Sequence, residues 1–298
     1  MVDRFGASGQ AAIAVLAGMM TLGFADNLLR LVTAESSLAQ FHLLRGGLAL
    51  AMMGAVAAAG YGVIRPKRPL AVLGRSLFTA GAMVIYFGCL ALMPIGVVVA
   101  GLFTAPLFVL VIEAVFQGKR VGPVRLGAVA LGFAGALMVI RPDPGALDPV
   151  AFLPILGGLL YAVGAVATRA WCEGEGTLAL SAGFFGVLAL LGALGSVLLP
   201  GDVPGAAGFP LRGWMPLTPA LFGWIAVQAL GALIGIACIF RGYQRGEASF
   251  VAVFEYSLLV FASLWALVLW GEGVPGLALV GMGLIVVSGA VIALRPGR

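Results

Sequence analysis

GAVALGFAGALMVIRP, residues 127–142, and GMGLIVVSGAVIALRP, residues 281–296, read as two versions of one segment. Each is a run of small and branched apolar residues closed by Arg-Pro, and the two lie 154 positions apart in a chain of 298 residues. Upstream, Gly118 of FQGK and Gly271 of LWGE match at an offset of 153, each following a long apolar run. An offset close to half the chain is the mark of an internal duplication. The expected division is 1–145 and 146–298.

The composition says in which solvent the copies fold. Hydrophobic residues make up 62% of the chain and charged residues 10%, against roughly 25% charged in soluble domains. A soluble domain would still have to cover its surface with polar groups, so the apolar surplus points to hydrocarbon. The net charge of +5 does not indicate a nucleic-acid partner, because the basic residues fall in short clusters between apolar runs. Cys89, Cys172 and Cys238 are odd in number, far apart and in or beside apolar segments, and so read as helix-packing residues. The run from Ala11 is too long for the apolar part of a signal peptide and is taken as the first retained span.

A span needs about 20 mostly apolar residues. Ten can be drawn: 9–31, 38–60, 71–93, 95–117, 122–141, 149–171, 178–199, 217–240, 249–270 and 275–294. The expected fold is therefore an all-α membrane protein with ten transmembrane helices, five per copy. An odd number of crossings per copy leaves the second inserted the opposite way up, so the copies form two inverted five-helix repeats. Inverted repeats recur in secondary transporters, with the substrate site near the midplane between halves that rock to alternate access.

Lys and Arg are retained on the cytoplasmic side. With the N-terminus inside, 13 of the 17 basic residues fall inside, and Arg30, Arg45, Arg141 and Arg212 fall outside. Both termini are expected in the cytoplasm.

The five-plus-five arrangement, the tract ALMPIGVVVAGLFTAPLFVLVIEAVFQGK (91–119), the tract FEYSLLVFASLWALVLWGE (254–272) and the two Arg-Pro span ends resemble the EamA type of the drug/metabolite transporter superfamily. The resemblance covers essentially the whole chain. It departs from the usual pattern after the fourth span, where Gly118-Lys119 stands in place of Gly-Glu, while Gly271-Glu272 keeps the pair. The resemblance implies a carrier of small metabolites in the bacterial inner membrane, closest to amino-acid exporters.

Charges at membrane depth cost about 2.5–3.5 kcal/mol each on insertion scales, and so tend to face protein or water. Asp26, Asn27 and Arg30 in span 1, His42 and Arg45 in span 2 and Tyr86 in span 3 share the outer depth. Asp26 and Arg30 are four apart and suited to pair on one helical face. The second half holds Tyr161, Gln228, Glu255 and Tyr256, with Arg169, mostly toward the inner side. Two polar layers of opposite depth are what inversion expects of two gates. For Glu255, a salt bridge to Arg241 or Arg245 is the competing expectation. Thr104-Ala-Pro106 lies mid-span, where proline frees a carbonyl and opens a hinge or site-lining role.

Asp26, Asn27, Arg30, His42, Arg45, Tyr86, Thr104, Tyr161, Gln228, Glu255 and Tyr256 are the candidate substrate-binding or gating set. His42 is the only histidine, and HExxH, GxSxG and GxxxxGK[ST] are all absent. Multi-histidine metal chemistry, an elbow nucleophile and an ATP-binding loop are thereby set aside, leaving a His42 base with a remote serine as the enzymatic alternative and a channel as the other. No cofactor is expected. The expected partners are a small-molecule substrate, amino acids above all, and the lipid bilayer. The assembly is expected to be a monomer or a homodimer, with Gly231-Ala-Leu-Ile-Gly235 a weak dimer signal.

Overall fold

In a computed structural model of the chain, residues 6–89, 92, 95–118, 120–141, 150, 152–199, 203 and 208–294 are described. Arg4, Lys119, Arg295, Pro296, Arg298 and the Met93-Pro94 link lie outside the described residues.

The first span combines α1 (Ala7–Asn27) and α2 (Leu29–Thr33), and α3 (Leu38–Ala58) and α4 (Pro69–Cys89) follow. The fourth is broken into α5 (Ile95–Leu102) and α6 (Ala105–Phe116), and α7 (Pro123–Ile140) closes the first half. The second half runs through α8 (Phe152–Ala170), α9 (Thr177–Leu198), the short α10 (Gly208–Leu211) and α11 (Pro219–Arg245). Its fourth span is again broken, into α12 (Ala248–Glu255) and α13 (Ser257–Trp270), before α14 (Gly276–Leu294). Among the described residues, with α1–α2, α5–α6 and α12–α13 each taken as one span, ten spans are long and apolar enough to cross a membrane. An even number of crossings brings the two chain ends to one face, the terminal face; the other is the distal face.

The eighth span runs five residues past the expected boundary of 240, to Arg245. The tract RGYQR reads as a loop because it is polar, yet Arg and Gln are good helix formers and their heads find partners. Gln244 Nε2 donates to the Glu175 carbonyl at 2.5 Å, and Arg245 Nη1 donates to Gln10 Oε1 at 2.7 Å.

Glycine sets the closeness of the main helix pairs. A Cβ on Gly135 of α7 would sit 2.6 Å from the Gly281 carbonyl oxygen of α14. Similarly, Gly235 of α11 faces Leu22 and Gly18 of α1. The Gly231/Gly235 motif is thus spent on a helix pair inside the chain.

The pairing follows a rule. α1 packs on α11 and α8 packs on α4; α12 and α13 pack on α1, and α5 and α6 pack on α8. Exchanging the first five spans for the last five turns each of these relations into its partner. It also carries the pairs α3–α9 and α7–α14 into themselves. Gly118 and Gly271 take up left-handed backbone with φ of 62° and 68° at the ends of the two broken spans, a conformation that glycine adopts without a Cβ penalty. All of this is consistent with the inverted repeat.

Candidate functional site

Among the described residues three spans are interrupted, at Leu28, at Phe103-Thr104 and at Tyr256. At Leu28, between α1 and α2, the backbone stays right-handed but the turn tightens, the Leu28 N–H bonding to the Ala25 carbonyl at 3.1 Å. Asn27 Nδ2 secures this point by donating to the Gly23 carbonyl at 2.8 Å and to the Ala262 carbonyl of α13 at 2.9 Å. Between α5 and α6, Thr104 Oγ1 donates to the Gly101 carbonyl at 2.6 Å, while Pro106 supplies no ladder donor. Between α12 and α13, Ser257 Oγ donates to the Phe254 carbonyl at 2.6 Å. Breaks at corresponding positions of two halves are how transporters place polar backbone at a midplane site.

A cavity of about 1070 Å³ lies against these breaks. Asp26, Asn27, Arg30, Arg45 and Tyr86 line it toward the distal face, and Tyr161 and Glu255 line it at depth. Most of the remaining wall is apolar, including Met83, Phe87, Phe103, Ile239 and Leu258. The cavity therefore combines a greasy body with a few polar groups, the usual make-up of a small-molecule site.

Seven of the eleven candidate residues thus line one cavity. The other four do not line it. His42 is 2% exposed and packs edge-on against Phe87 and beside Phe41, both at 5.4 Å between centroids. Gln228 is spent on α1, its Nε2 donating to the Ala25 carbonyl at 2.5 Å. Thr104 caps its own break, and Tyr256 stacks on Phe103.

Among the described residues, Asp26 and Arg30 do not pair as expected. Arg30 instead meets Glu272 at 2.9 Å and lies 4.3 Å over the Trp270 ring. This contact bridges α2 and the end of α13 beside the distal mouth. Glu255 also departs from the competing expectation: its carboxylate accepts from the Tyr161 hydroxyl at 2.8 Å, while Arg245 is turned to Gln10. The structure thus keeps Glu255 on the cavity wall.

Below Glu255 the terminal side is packed shut. Arg125 bridges to Glu247 at 2.5 Å and donates to Ser249 Oγ at 3.0 Å, while the Ser249 N–H donates to Glu113 at 3.3 Å. Among the described residues, no group of three or more His, Cys, Asp or Glu is placed to hold a metal ion.

Two arginines fall where their sequence neighbourhood does not put them. Arg212, in the loop after α10, lines the cavity and donates to the Thr33 carbonyl at 3.4 Å. Nothing in a polar, proline-rich loop distinguishes that residue from a solvated charge. Arg75, counted among the cytoplasmic loop charges, is fully buried in α4. It donates to Thr168 Oγ1 at 3.2 Å and to the Leu180 carbonyl at 2.8 Å, with the Phe240 ring 3.9 Å away. Its position as the fifth residue of the span 71–93 was the available signal.

No family model matches the chain. It is similar to a riboflavin transporter of Rhizobium johnstonii, 32% identical over 110 residues, which span 37% of this chain and 36% of that protein. It is also similar to the pseudopaline exporter CntI of Pseudomonas aeruginosa, 26% identical over 77% of this chain and 76% of that one. The aromatic amino acid exporter YddG of Ancylobacter novellus is 27% identical over 80% of each chain. A crystal structure of a protein 23% identical superposes with a TM-score of 0.74 over 94% of this chain and 96% of its own, which shows a common fold. The named relatives are transporters and exporters rather than enzymes, and two of them align over more than three quarters of this chain. With ten spans long and apolar enough to cross a membrane, the chain is accordingly a multi-pass membrane protein similar to these transporters and exporters.

Proposed function

We propose that this protein is a secondary carrier that moves small metabolites, amino acids above all, across the bacterial inner membrane by alternating access. The moving parts are the repeats 1–145 and 146–298, inverted with respect to each other, and both termini face the cytoplasm. The observation that carries this reading is the cavity of about 1070 Å³, walled by residues of both halves, which reaches exposed Arg30 and Glu272 at one end and stops at Tyr161 and Glu255 at the other. A space open to one side and packed shut on the other is one state of an alternating-access cycle. The helix pairing, which maps onto itself when the halves are exchanged, supports a second state of opposite opening. The aromatic and aliphatic wall, and the likeness to an aromatic amino acid exporter, favour amino acids with large apolar side chains.

The test is counterflow in proteoliposomes with a panel of labelled L-amino acids. A carrier preloaded with unlabelled solute accumulates labelled solute transiently above its equilibrium level. Flux that merely equilibrates would indicate a channel, and no flux above empty liposomes for any of the twenty would remove amino acids as the substrate class.

A further inference from the structure

Among the described residues two arginines, Arg45 and Arg75, are buried within apolar spans, and they are treated differently. Arg75 is satisfied by the protein alone, through Thr168, the Leu180 carbonyl and the Phe240 ring. Arg45 is 4% exposed and lines the cavity, and its Nε and Nη1 atoms have no hydrogen-bond partner among the described residues. The rings of Phe41 and Phe87 lie 5.2 and 5.5 Å from its guanidinium carbon. Aromatic faces stabilise the charge but give its N–H donors no acceptor. A buried donor without an acceptor costs free energy comparable to a lost hydrogen bond, and more when charged. The site therefore favours an anion arriving from the cavity.

The acid on the same wall has a matching property. Asp26 is half-buried, lines the cavity and lies within electrostatic reach of Arg45. Among the described residues, however, no ion pair or hydrogen bond joins the two. Opposite charges in this cavity do close up elsewhere, as Arg30 and Glu272 do at 2.9 Å. Asp26 and Arg45 thus line one cavity with neither charge spent on the other.

We propose that Asp26 and Arg45 form a head-group site for a zwitterionic α-amino acid, the substrate carboxylate seated on Arg45 and its ammonium on Asp26. The assignment rests on the carrier reading above. Carboxylate and ammonium on one carbon form a compact dipole that meets both residues at once, and guanidinium suits a carboxylate through paired N–H donors. The substrate side chain then extends along Phe87, Phe103 and Leu258. His42, packed beside Phe41 and Phe87, holds the two rings that flank Arg45 and takes no direct part.

The experiment uses the full chain in proteoliposomes. Whichever labelled L-amino acid shows the strongest counterflow, L-phenylalanine being expected, is competed with its decarboxylated amine and its deaminated acid, phenethylamine and 3-phenylpropionate in the expected case. Each analogue should compete at least about tenfold more weakly than the amino acid, since a site built to hold a polar group rejects ligands that lack it. Asp26→Asn should then narrow the gap to the deaminated acid, and Arg45→Gln the gap to the amine. A variant that only loosens the fold lowers flux and leaves these ratios alone. Wild-type counterflow competed equally by all three compounds would overturn the head-group site while the carrier stands, and this comparison needs no variant to fold. Unchanged ratios in both variants, each of them active, would overturn the assignment to these two residues. Absence of counterflow for every amino acid would overturn the site together with the reading on which it rests.

Discussion

Phe103 and Tyr256 stack with ring centroids 5.7 Å apart and planes at 26°. They stand at the breaks of the fourth and ninth spans, 153 positions apart, the same offset that relates Gly118 to Gly271. The two interruptions thus meet at one contact in the middle of the bundle, beside the cavity. Gly132 of α7 admits the pair, since a Cβ there would come within 2.6 Å of the Tyr256 ring.

Removing the stack should loosen the breaks. Phe103→Ala is expected to cost about 3–5 kcal/mol, the usual range for deleting a buried aromatic side chain. Phe103→Leu keeps most of the volume and loses chiefly the ring contact, about 0.5–1.5 kcal/mol. Thermal unfolding in detergent separates the two. Equal losses would mean that the ring geometry contributes nothing beyond bulk.

Glycines at two positions of one helix should respond in opposite senses. Gly135→Val drives a side chain into the backbone of α14, 2.6 Å from a carbonyl oxygen, and overpacking of this kind costs about 1–3 kcal/mol. Gly127→Ala meets nothing within 4 Å and should stabilise by about 0.4–1 kcal/mol through the unfolded chain. Melting temperatures that fall alike in both would refute the packing account of the α7–α14 pair.

Arg75 offers a test of geometry against charge. Arg75→Lys keeps the positive charge but cannot reach Thr168 Oγ1 and the Leu180 carbonyl together, because an ammonium lacks the planar fork of a guanidinium. The expected loss is about 1–3 kcal/mol, read from thermal unfolding. A lysine variant as stable as the parent would show that charge alone suffices.

The Arg30–Glu272 pair is exposed on both sides, 46% and 53% by side chain, so Glu272→Gln should change stability by less than about 1 kcal/mol. Its effect should appear at the mouth instead. In a background with Cys89, Cys172 and Cys238 replaced by serine, Asn27→Cys is expected to react faster with a polar thiol reagent when Glu272→Gln is present. An unchanged rate would mean that the pair does not narrow the distal opening.

Orientation can be read from two further single cysteines in that background. Tyr61→Cys, on the connection after α3, should be labelled only from the cytoplasm, and Leu217→Cys, just before α11, only from the other side. Both positions are exposed. Labelling of both from one side would contradict the ten-span topology.

The span count and the family resemblance were legible in the linear sequence because hydrocarbon makes a local demand: about 20 apolar residues at a stretch, wherever the helix lies in the bundle. The repeat showed for a related reason. Gly118 and Gly271 mark span ends by backbone chemistry that does not depend on neighbours. The same locality made Asp26, Arg45 and Glu255 stand out, since a charge inside an apolar run is conspicuous without any knowledge of its surroundings. What each charge faces is decided by residues far away in sequence, and only the tertiary structure supplied it. Asp26 and Arg30 stay apart, and Glu272 takes Arg30 across 242 positions. Gln228, as polar as any candidate, disappears into a hydrogen bond with Ala25, and Arg212 enters the cavity from a loop with no pattern to announce it. Hydropathy belongs to one residue and its near neighbours, whereas hydrogen-bond satisfaction belongs to pairs that meet only when the helices pack. The sequence by itself therefore determined the solvent, the spans and their number, and packing alone decided which polar groups are spent on the fold and which are left facing the cavity.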